Sequence, residues 1–432
     1  MKLHRRQLIA GAGAAALLGA TQRLRAQISP GPAPAAQPAQ RSTSERIAAA
    51  ALENRHRLTY SGGGFSGAAW DMLLKEGRAA HFFLVGEEHG IAENPKLAAA
   101  LFQALAPAGY ARLGIEISPP MAMEMDRVLR RGGMAALRRH LADPANAVAF
   151  FGMREEAELL AAARAAVPGN RPVLWGLDYE VGADRRLIAM LKAAPKPPAA
   201  QRALAALEAA STASWAEYAK TRGPQHIFSF GGDPALVEAV RSAWPRPDAS
   251  SEWALVTLEE TLRINRQFVG GDNHGSNIRR AQLLRSNFLR HWREVRGTSA
   301  PRVMMKLGAS HMIRGLSLTD TYDLGSLIPE VAAAEGKSSF SMLVVPGAGS
   351  QIAGFDPTKF AYQSAPAGAF LPGVEPLTAA AWPDSYTLVD LRPLRRLARG
   401  FGRGAAEPNL SRLIHGFDTM LIMSGSTPSA NL

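Results

Sequence analysis

Acidic and histidine side chains follow short apolar segments of this chain in a pattern suited to proton transfer. They are Glu87 and His89 after one segment, Glu116 and Asp178 after the next two, and His311 after a later one. Histidine has an unperturbed pKa of about 6.5, and a neighbouring carboxylate can orient its ring or activate water itself. We therefore expect acid–base catalysis, with His89 as the general base.

Two adjacent glutamates precede this histidine, and only one of them can share its face. Successive side chains of an extended chain point to opposite sides, so Glu87 lies on the side of His89 and Glu88 on the other. We predict that Glu87 or Glu116 holds the imidazole and that Glu88 has no part in the site.

A further histidine lies in a glycine-rich loop that opens a long helix. His274 stands in the segment GGDNHGSN, where glycines let the backbone approach a ligand and the following helix N-terminus favours an anion. We expect His274 and His311 to stabilise an oxyanion. For Glu116 a structural ion pair with Arg112 or Arg280 is the alternative role, and Asp178 could instead cap a turn.

Six short apolar runs predict the strands that must position these groups. They are Phe82–Gly86, Leu113–Ile117, Val173–Leu177, Val303–Leu307, Ser341–Val345 and Thr419–Met423. Helical periodicity between most of them indicates crossover connections, so we predict an α/β fold with a mainly parallel β-sheet covered by helices. Because ligands bind beyond the carboxyl ends of such strands, the polar groups are expected to converge on one pocket.

The chain divides into an export segment, a linker and one folded domain. Residues 1–26 combine Arg5-Arg6 with an apolar run and small residues, which resembles a twin-arginine signal and predicts a periplasmic or secreted protein. Residues 27–43 are expected to be a flexible linker. Residues 44–432 would form a single α/β domain, with a helical cap insertion at about 183–265 and an irregular extension at about 350–415.

Composition excludes several classes of protein. The 432 residues contain no cysteine, which removes disulfides, thiolate nucleophiles and Cys-ligated metal sites. The formal charge of +12 falls to +7 beyond residue 26, too mild for a nucleic-acid binder. We expect a small-molecule substrate, no nucleic-acid partner and no membrane span in the mature chain; nothing in the sequence indicates an oligomeric state.

The order of five segments along the chain resembles the erythromycin esterase-like family. They are FFLVGEEHG, GIEISPP, RPVLWGLDYE, DNHGSNIRRAQLLRSNFLRHW and VMMKLGASHMIRG. The Glu-x-His pair is also similar to the related Tiki/TraB and ChaN-type proteins. The resemblance implies an esterase or lactonase, in which Glu116 and His311 are catalytic. It also implies substrate-binding roles for Arg280 and Asn287, which share one helix face; we add Asp178 to that group.

Three functions therefore remain open. The first is hydrolysis of an ester, a lactone or a related acyl bond by water that His and Glu activate, without a cofactor. The second is a divalent-metal hydrolase or protease of Tiki/TraB type, with Glu87, His89, His274 and His311 as ligands. The third is a non-catalytic protein of ChaN type that binds haem or another small molecule.

Overall fold

The computed structural model describes residues 41–400 and 404–432, so the predicted export segment and nearly all of the predicted linker lie outside the described residues. Residues Ser42–Leu432 pack as one unit. The strands are β1 (Arg55–Ser61), β2 (Gly64–Ser66), β3 (Phe82–Glu87), β4 (Tyr110–Ile115), β5 (Leu174–Gly176), β6 (Arg302–Gly308), β7 (Ser339–Pro346), β8 (Gln351–Asp356), β9 (Ala361–Pro366), β10 (Tyr386–Asp390) and β11 (Thr419–Met423).

Helices connect most of these strands. They are α1 (Thr43–Glu53), α2 (Ala68–Ala79), α3 (Glu93–Leu105), α4 (Pro119–Leu141), α5 (Arg154–Ala166), α6 (Asp184–Ala193), α7 (Pro198–Thr221), α8 (Phe228–Gly231), α9 (Pro234–Ala243), α10 (Ala249–Val269), α11 (Asn273–Val295), α12 (Ala309–Met312), α13 (Leu324–Ala334), α14 (Glu375–Thr378) and α15 (Pro408–Gly416). Among the described residues, no helix combines the length and apolar character that crossing a membrane requires.

Nine strands form the central sheet, in the order β2-β1-β10-β11-β7-β3-β6-β4-β5. The six strands from β11 to β5 run parallel to their neighbours, and β10, β1 and β2 extend the sheet antiparallel on one side. The prediction of an α/β fold with a mainly parallel sheet is therefore confirmed. Each of the six predicted apolar runs overlaps a strand of this parallel part, although the runs at β4 and β5 extend past the strand ends.

The antiparallel strands have a weaker signal in the sequence. The spacing of Ser42 and Glu45 predicts a capping box before a helix over IAAAALENRHRL. The capping box does open α1, but that helix ends at Glu53. The residues that follow form β1, which reads RHRLTYS and has only Leu58 buried. Half-buried polar strands at a sheet edge lack the continuous apolar run that marks a buried strand.

Side-chain alternation explains why Glu87 and Lys306 lie on the same face of the sheet. In β3, Phe82 and Leu84 pack into the core on one face, whereas Phe83 and Val85 pack into the core on the other. Glu87 continues the second series. In β6 the same alternation directs Lys306 to the face that Met304 occupies, and Val85 is its register partner in β3.

Two long segments separate strands of the parallel part of the sheet. Residues 184–269 hold five helices, α6 to α10, in the region predicted as a helical cap. Residues 350–415, predicted to be irregular, contain the β8–β9 hairpin, β10 and two short helices. The strands of this hairpin read QIAGFD and AYQSAP, and neither has the apolar run or the strict alternation that indicates a strand.

Candidate active site

The first strand ends in a carboxylate–imidazole pair. The Nδ1 atom of His89 donates to Oε1 of Glu87 over 2.9 Å, and Glu87 is buried. As expected from strand alternation, Glu88 is not in this pair, and its side chain makes no hydrogen bond to the described residues. Gly90 turns the chain away at φ +88, where a Cβ atom would lie 2.2 Å from the carbonyl oxygen of Ala353.

A buried lysine lies behind Glu87. The Nζ atom of Lys306 donates to Glu87 and to Glu156, each over 2.6 Å, and all three residues are buried. Burial would raise the pKa of Glu87, but Lys306 and His89 outweigh it and lower the pKa. Burial raises the pKa of Glu156 to about 7. Glu87 is therefore held as a carboxylate.

Asn94 gives Glu87 a further donor. The pair Asn94-Pro95 predicts a helix cap at Asn94, and this is wrong: α3 begins at Glu93 and Ala92 is its cap residue. The side-chain amide nitrogen of Asn94, buried in the first turn, donates to Oε2 of Glu87 instead. A cap residue accepts through its side-chain oxygen, whereas here the amide nitrogen donates to a charged carboxylate.

Glu116 is the central acceptor of the site. Its Oε2 atom accepts from the backbone N–H of Gly308 over 2.6 Å and lies 3.4 Å from Nε2 of His89. Its Oε1 atom lies 3.5 Å from Nε2 of His311. A Cβ atom on Gly308 would lie 2.9 Å from Nε2 of His89, so only glycine permits this close approach.

These contacts fix the charge of both central groups. Burial would raise the pKa of Glu116, but His89 and His311 outweigh it and lower the pKa well below its usual value. Burial would lower the pKa of His89, but Glu116 and Glu87 outweigh it and raise the pKa to about 10. At neutral pH the pair is therefore an imidazolium facing a carboxylate.

The third strand and the long helix meet at an arginine. Arg280 in α11 donates from Nε to Oδ1 of Asp178 over 3.0 Å and from Nη2 to Oε1 of Glu116 over 2.7 Å. Seven residues on, Asn287 donates to the carbonyl oxygen of Leu177 over 2.8 Å. Asp178 thus binds the guanidinium of Arg280 and does not cap a turn. Asn287, for which the resemblance implied a substrate-binding role, is hydrogen-bonded to the backbone just after β5.

Arg280 keeps one donor nitrogen for a ligand. Its Nε and Nη2 atoms are engaged, whereas Nη1 makes no hydrogen bond to the described part of the chain. The side chain is 23% exposed. The guanidinium lies 4.9 Å from the ring of Tyr179, whose hydroxyl is likewise not hydrogen-bonded to the described residues.

His311 mirrors His89 on the other side of Glu116. Its Nδ1 atom donates to Oδ2 of Asp323 over 2.7 Å. Burial and Arg280 would lower the pKa of His311, but Asp323 and Glu116 outweigh them and raise it to about 9. Its Nε2 atom faces Oε1 of Glu116 at 3.5 Å, so His311 orients this carboxylate.

His274 is not part of this cluster. The helix α11 begins at Asn273, earlier than predicted, and Asp272 caps it by accepting from the backbone N–H of Gly275 over 2.9 Å. His274 is exposed in the first turn and makes no hydrogen bond or ion pair with the described residues. The glycines that suggested a ligand loop instead belong to the helix start.

An aromatic residue covers the exposed face of His89. The ring of Phe150 stacks on the imidazole at 3.9 Å between centroids, with an angle of 14° between the planes. The backbone of Phe150 has φ +58, an uncommon conformation for a bulky residue. The side chain of His89 is 27% exposed, so the ring leaves it partly open.

The donor set does not fit a divalent metal ion. Within the described ranges, no group of three or more His, Asp or Glu side chains has a geometry that could hold one. Of the four ligands proposed from the sequence, Glu87 and His89 are already bound to each other and Glu87 to Lys306, while His274 is elsewhere. Lys306 and Arg280 supply the positive charges that face the carboxylates of the site, where a metal ion would otherwise supply them.

Known structures share this architecture, although a scan of protein-family models and a search of curated proteins find no match. A protein from Bacillus cereus has a TM-score of 0.54 at 15% identity, over 90% of this chain and 99% of that one. A succinoglycan biosynthesis protein has a TM-score of 0.57 at 14% identity, over the same shares. A mutant of the erythromycin esterase EreC in its open conformation has a TM-score of 0.55 at 16% identity, over 84% of this chain and 95% of that one.

The chain shares the erythromycin esterase fold. At these identities the likeness concerns the fold, and it agrees with the resemblance found in the sequence. The sequence did not reveal Lys306, Glu156, Asp323 or Phe150 as neighbours of the site. Only Lys306 carried a signal, as the single charge inside an otherwise apolar strand, VMMKLG.

Proposed function

We propose that this protein is a hydrolase of an ester, a lactone or a related acyl bond, in which His89 and Glu116 act together on water. One observation carries the proposal: His89 is held between the buried carboxylates of Glu87 and Glu116, yet keeps an exposed edge. Charge pairs of this kind in a partly closed site are typical of acid–base catalysis.

The charge state assigns the roles within the pair. Water attacks the carbonyl carbon and gives its proton to Glu116, and the carbonyl oxygen becomes an oxyanion. The bond to the leaving oxygen then breaks, and that oxygen takes the proton of His89. The proton on Glu116 passes to His89 across their 3.4 Å contact, which restores the starting state. This differs from the expectation that His89 itself is the base, because the two carboxylates keep it protonated.

The oxyanion has a donor within the same cluster. The free Nη1 atom of Arg280 is the group that we assign to it, since Nε and Nη2 already fix the guanidinium plane against Asp178 and Glu116. A preorganised charged donor at a developing oxyanion is commonly worth about 10² to 10³ in rate. His274, given this role from the sequence, is too exposed and unconnected to supply it.

Hydrolysis of a panel of neutral esters and lactones tests the proposal. The purified protein should hydrolyse part of the panel at the same rate before and after treatment with a chelator, since no step uses a metal ion. Glu116→Gln should lose about 10² to 10⁴ in kcat, because the amide cannot take the proton from water. Full activity in Glu116→Gln, or activity restored only by a divalent ion, would overturn it.

We also propose that the protein is exported, on the basis of Arg5-Arg6 and the apolar run that follows. Fusing residues 1–41 to a reporter should deliver it to the periplasm of a host with the twin-arginine pathway. Replacing the pair by Lys-Lys should block delivery. Delivery that persists in the Lys-Lys variant would count against the twin-arginine route.

A further inference from the structure

A cavity of about 340 Å³ lies beside the candidate active site, and its walls are apolar and rich in aromatic residues. The aromatic residues that line it are Phe150, Tyr179, Phe230, Phe355, Phe360 and Tyr362. None of the described residues that line it carries a charge. Pockets of this size and character accept small apolar groups.

Two of these rings connect the cavity to the reacting groups. Phe150 stacks on His89 at 3.9 Å, and the ring of Tyr179 lies 4.9 Å from the guanidinium carbon of Arg280. Phe150 and Tyr179 therefore belong both to the wall of the cavity and to the surroundings of the reacting groups.

The outer wall of the cavity is braced against the helical insertion. Phe360, in the tip of the β8–β9 hairpin, packs edge-on against Trp215 of α7 at 5.4 Å between centroids. The hydroxyl of Tyr218 in α7 donates to the carbonyl oxygen of Pro357 over 2.7 Å. Two segments that are distant in the sequence thus hold the wall in place, which indicates a preformed cavity.

The polar atoms of the cavity are uncharged. Burial raises the pKa of Tyr179 and of Tyr362, so both phenols keep their protons. The hydroxyl of Tyr362 accepts from the backbone N–H of Phe150. A charged ligand group in this cavity would lose its hydration without gaining a counter-ion, which costs several kcal/mol in general.

We propose that this cavity binds an uncharged apolar group of the substrate, attached on one side of the bond that is cleaved. The substrate class is therefore a neutral ester or lactone with an alkyl or aryl group, and it excludes esters that carry a carboxylate or phosphate in that position. The proposal rests on the proposed function, because it places the scissile bond at His89 and Glu116.

Two series of alkyl esters measure the preference. Ethyl esters from acetate to hexanoate lengthen the acyl side, and acetate esters from ethyl to hexyl lengthen the alcohol side. In one of the two series kcat/KM should rise about fourfold per methylene until the cavity is full. On the side that shows the rise, a carboxylate in place of the terminal methyl group should lower hydrolysis at least about 100-fold. The pair is ethyl butyrate and monoethyl succinate for the acyl side, or propyl acetate and 3-acetoxypropanoate for the alcohol side.

A filled cavity should abolish the preference. Ala361 lines the cavity at the start of β9, and Ala361→Trp places an indole inside it. Ala365 lies on the same face of β9 but outside the cavity and is exposed, so Ala365→Trp is the matched control. The gain per methylene should disappear in Ala361→Trp and remain in Ala365→Trp.

The outcomes separate this inference from the proposed function. Hydrolysis with no dependence on chain length in either series, or equal rates for the neutral ester and its carboxylate counterpart on the side that shows the rise, would overturn the inference and leave the hydrolase intact. Absence of all hydrolysis would count against the function. Nile red, an uncharged apolar dye, then decides the inference: binding that Ala361→Trp blocks and Ala365→Trp retains supports it, and no binding overturns it.

Discussion

His89 is protonated because of its neighbours and not because of its own chemistry. Burial alone would lower the pKa of this imidazole, but the carboxylates of Glu116 and Glu87 outweigh burial, so the pKa is raised. Lys306 and Asn94 in turn hold Glu87 ionised and oriented. The acid in the proposed reaction is therefore a property of a network of five side chains, in which each carboxylate has its own donors.

Substitution of His89 separates proton donation from hydrogen bonding. His89→Gln keeps a side chain that can hydrogen-bond but cannot give up or regain the proton, so kcat should fall by about 10² to 10⁴ with folding intact. Glu88→Gln, one residue away and outside the pair, should stay within about threefold of the parent. Steady-state rates on one ester, with circular dichroism for folding, check both. Equal losses in the two variants would contradict the strand geometry.

At the scale of elements, the carboxyl ends of β3, β4, β5 and β6 bring the groups together, and α11 links two of them. Arg280 joins Asp178 after β5 to Glu116 after β4. Asn287 ties the same helix to the carbonyl oxygen of Leu177. The helix thus joins two strand ends, and in the proposed reaction it also supplies a donor to the substrate.

Loss of the arginine should therefore reduce stability as well as activity. Arg280→Met leaves the buried carboxylate of Asp178 without its counter-ion, which commonly costs about 3 to 5 kcal/mol. Arg279→Met is the matched control, since that neighbour makes a more exposed ion pair with Glu260 and should cost about 1 kcal/mol or less. Urea unfolding of both variants measures the difference. Equal midpoints would show that Arg280 has no structural role.

The sequence predicted the elements that carry continuous apolar runs and the groups that follow them. Glu87, His89, Glu116, Asp178 and His311 could be found because they stand at strand ends, where a parallel sheet collects side chains at one edge. Their partners could not be found this way. Glu156, Asp323 and Phe150 lie in helices and loops whose approach to the sheet is decided by packing over long separations.

His274 shows the opposite failure. A histidine between glycines before a helix was interpreted as a ligand loop, but Asp272 uses that backbone for an ordinary helix cap. Local sequence alone does not distinguish the two, because both need the same free N–H groups. The difference lies in whether the turn faces the sheet edge, which the helix packing decides.

On the scale of the whole molecule, the site belongs entirely to the unit Ser42–Leu432. The described chain of this unit supplies the acid–base pair, the arginine and the walls of the aromatic cavity. Removal of residues 1–40 should therefore leave kcat/KM within about twofold and the thermal midpoint unchanged. The same ester assay and a melting curve on the shortened chain check this, and a loss of activity in a folded protein would mean that the removed segment contributes to the site.

The dependence of kcat/KM on pH tests the central claim most directly. With His89 as proton donor and Glu116 as acceptor, the rate should be flat through neutral pH and fall as pH rises through about 10, where His89 loses its proton. The pair should also stabilise the fold below pH 6.5, and this contribution should disappear across the same alkaline range. A single neutral ester, measured from pH 6 to pH 11 with stability controls, gives the profile. A rate that instead rises about tenfold per pH unit from 6 to 9 would show that the neutral imidazole is the base and would contradict the account.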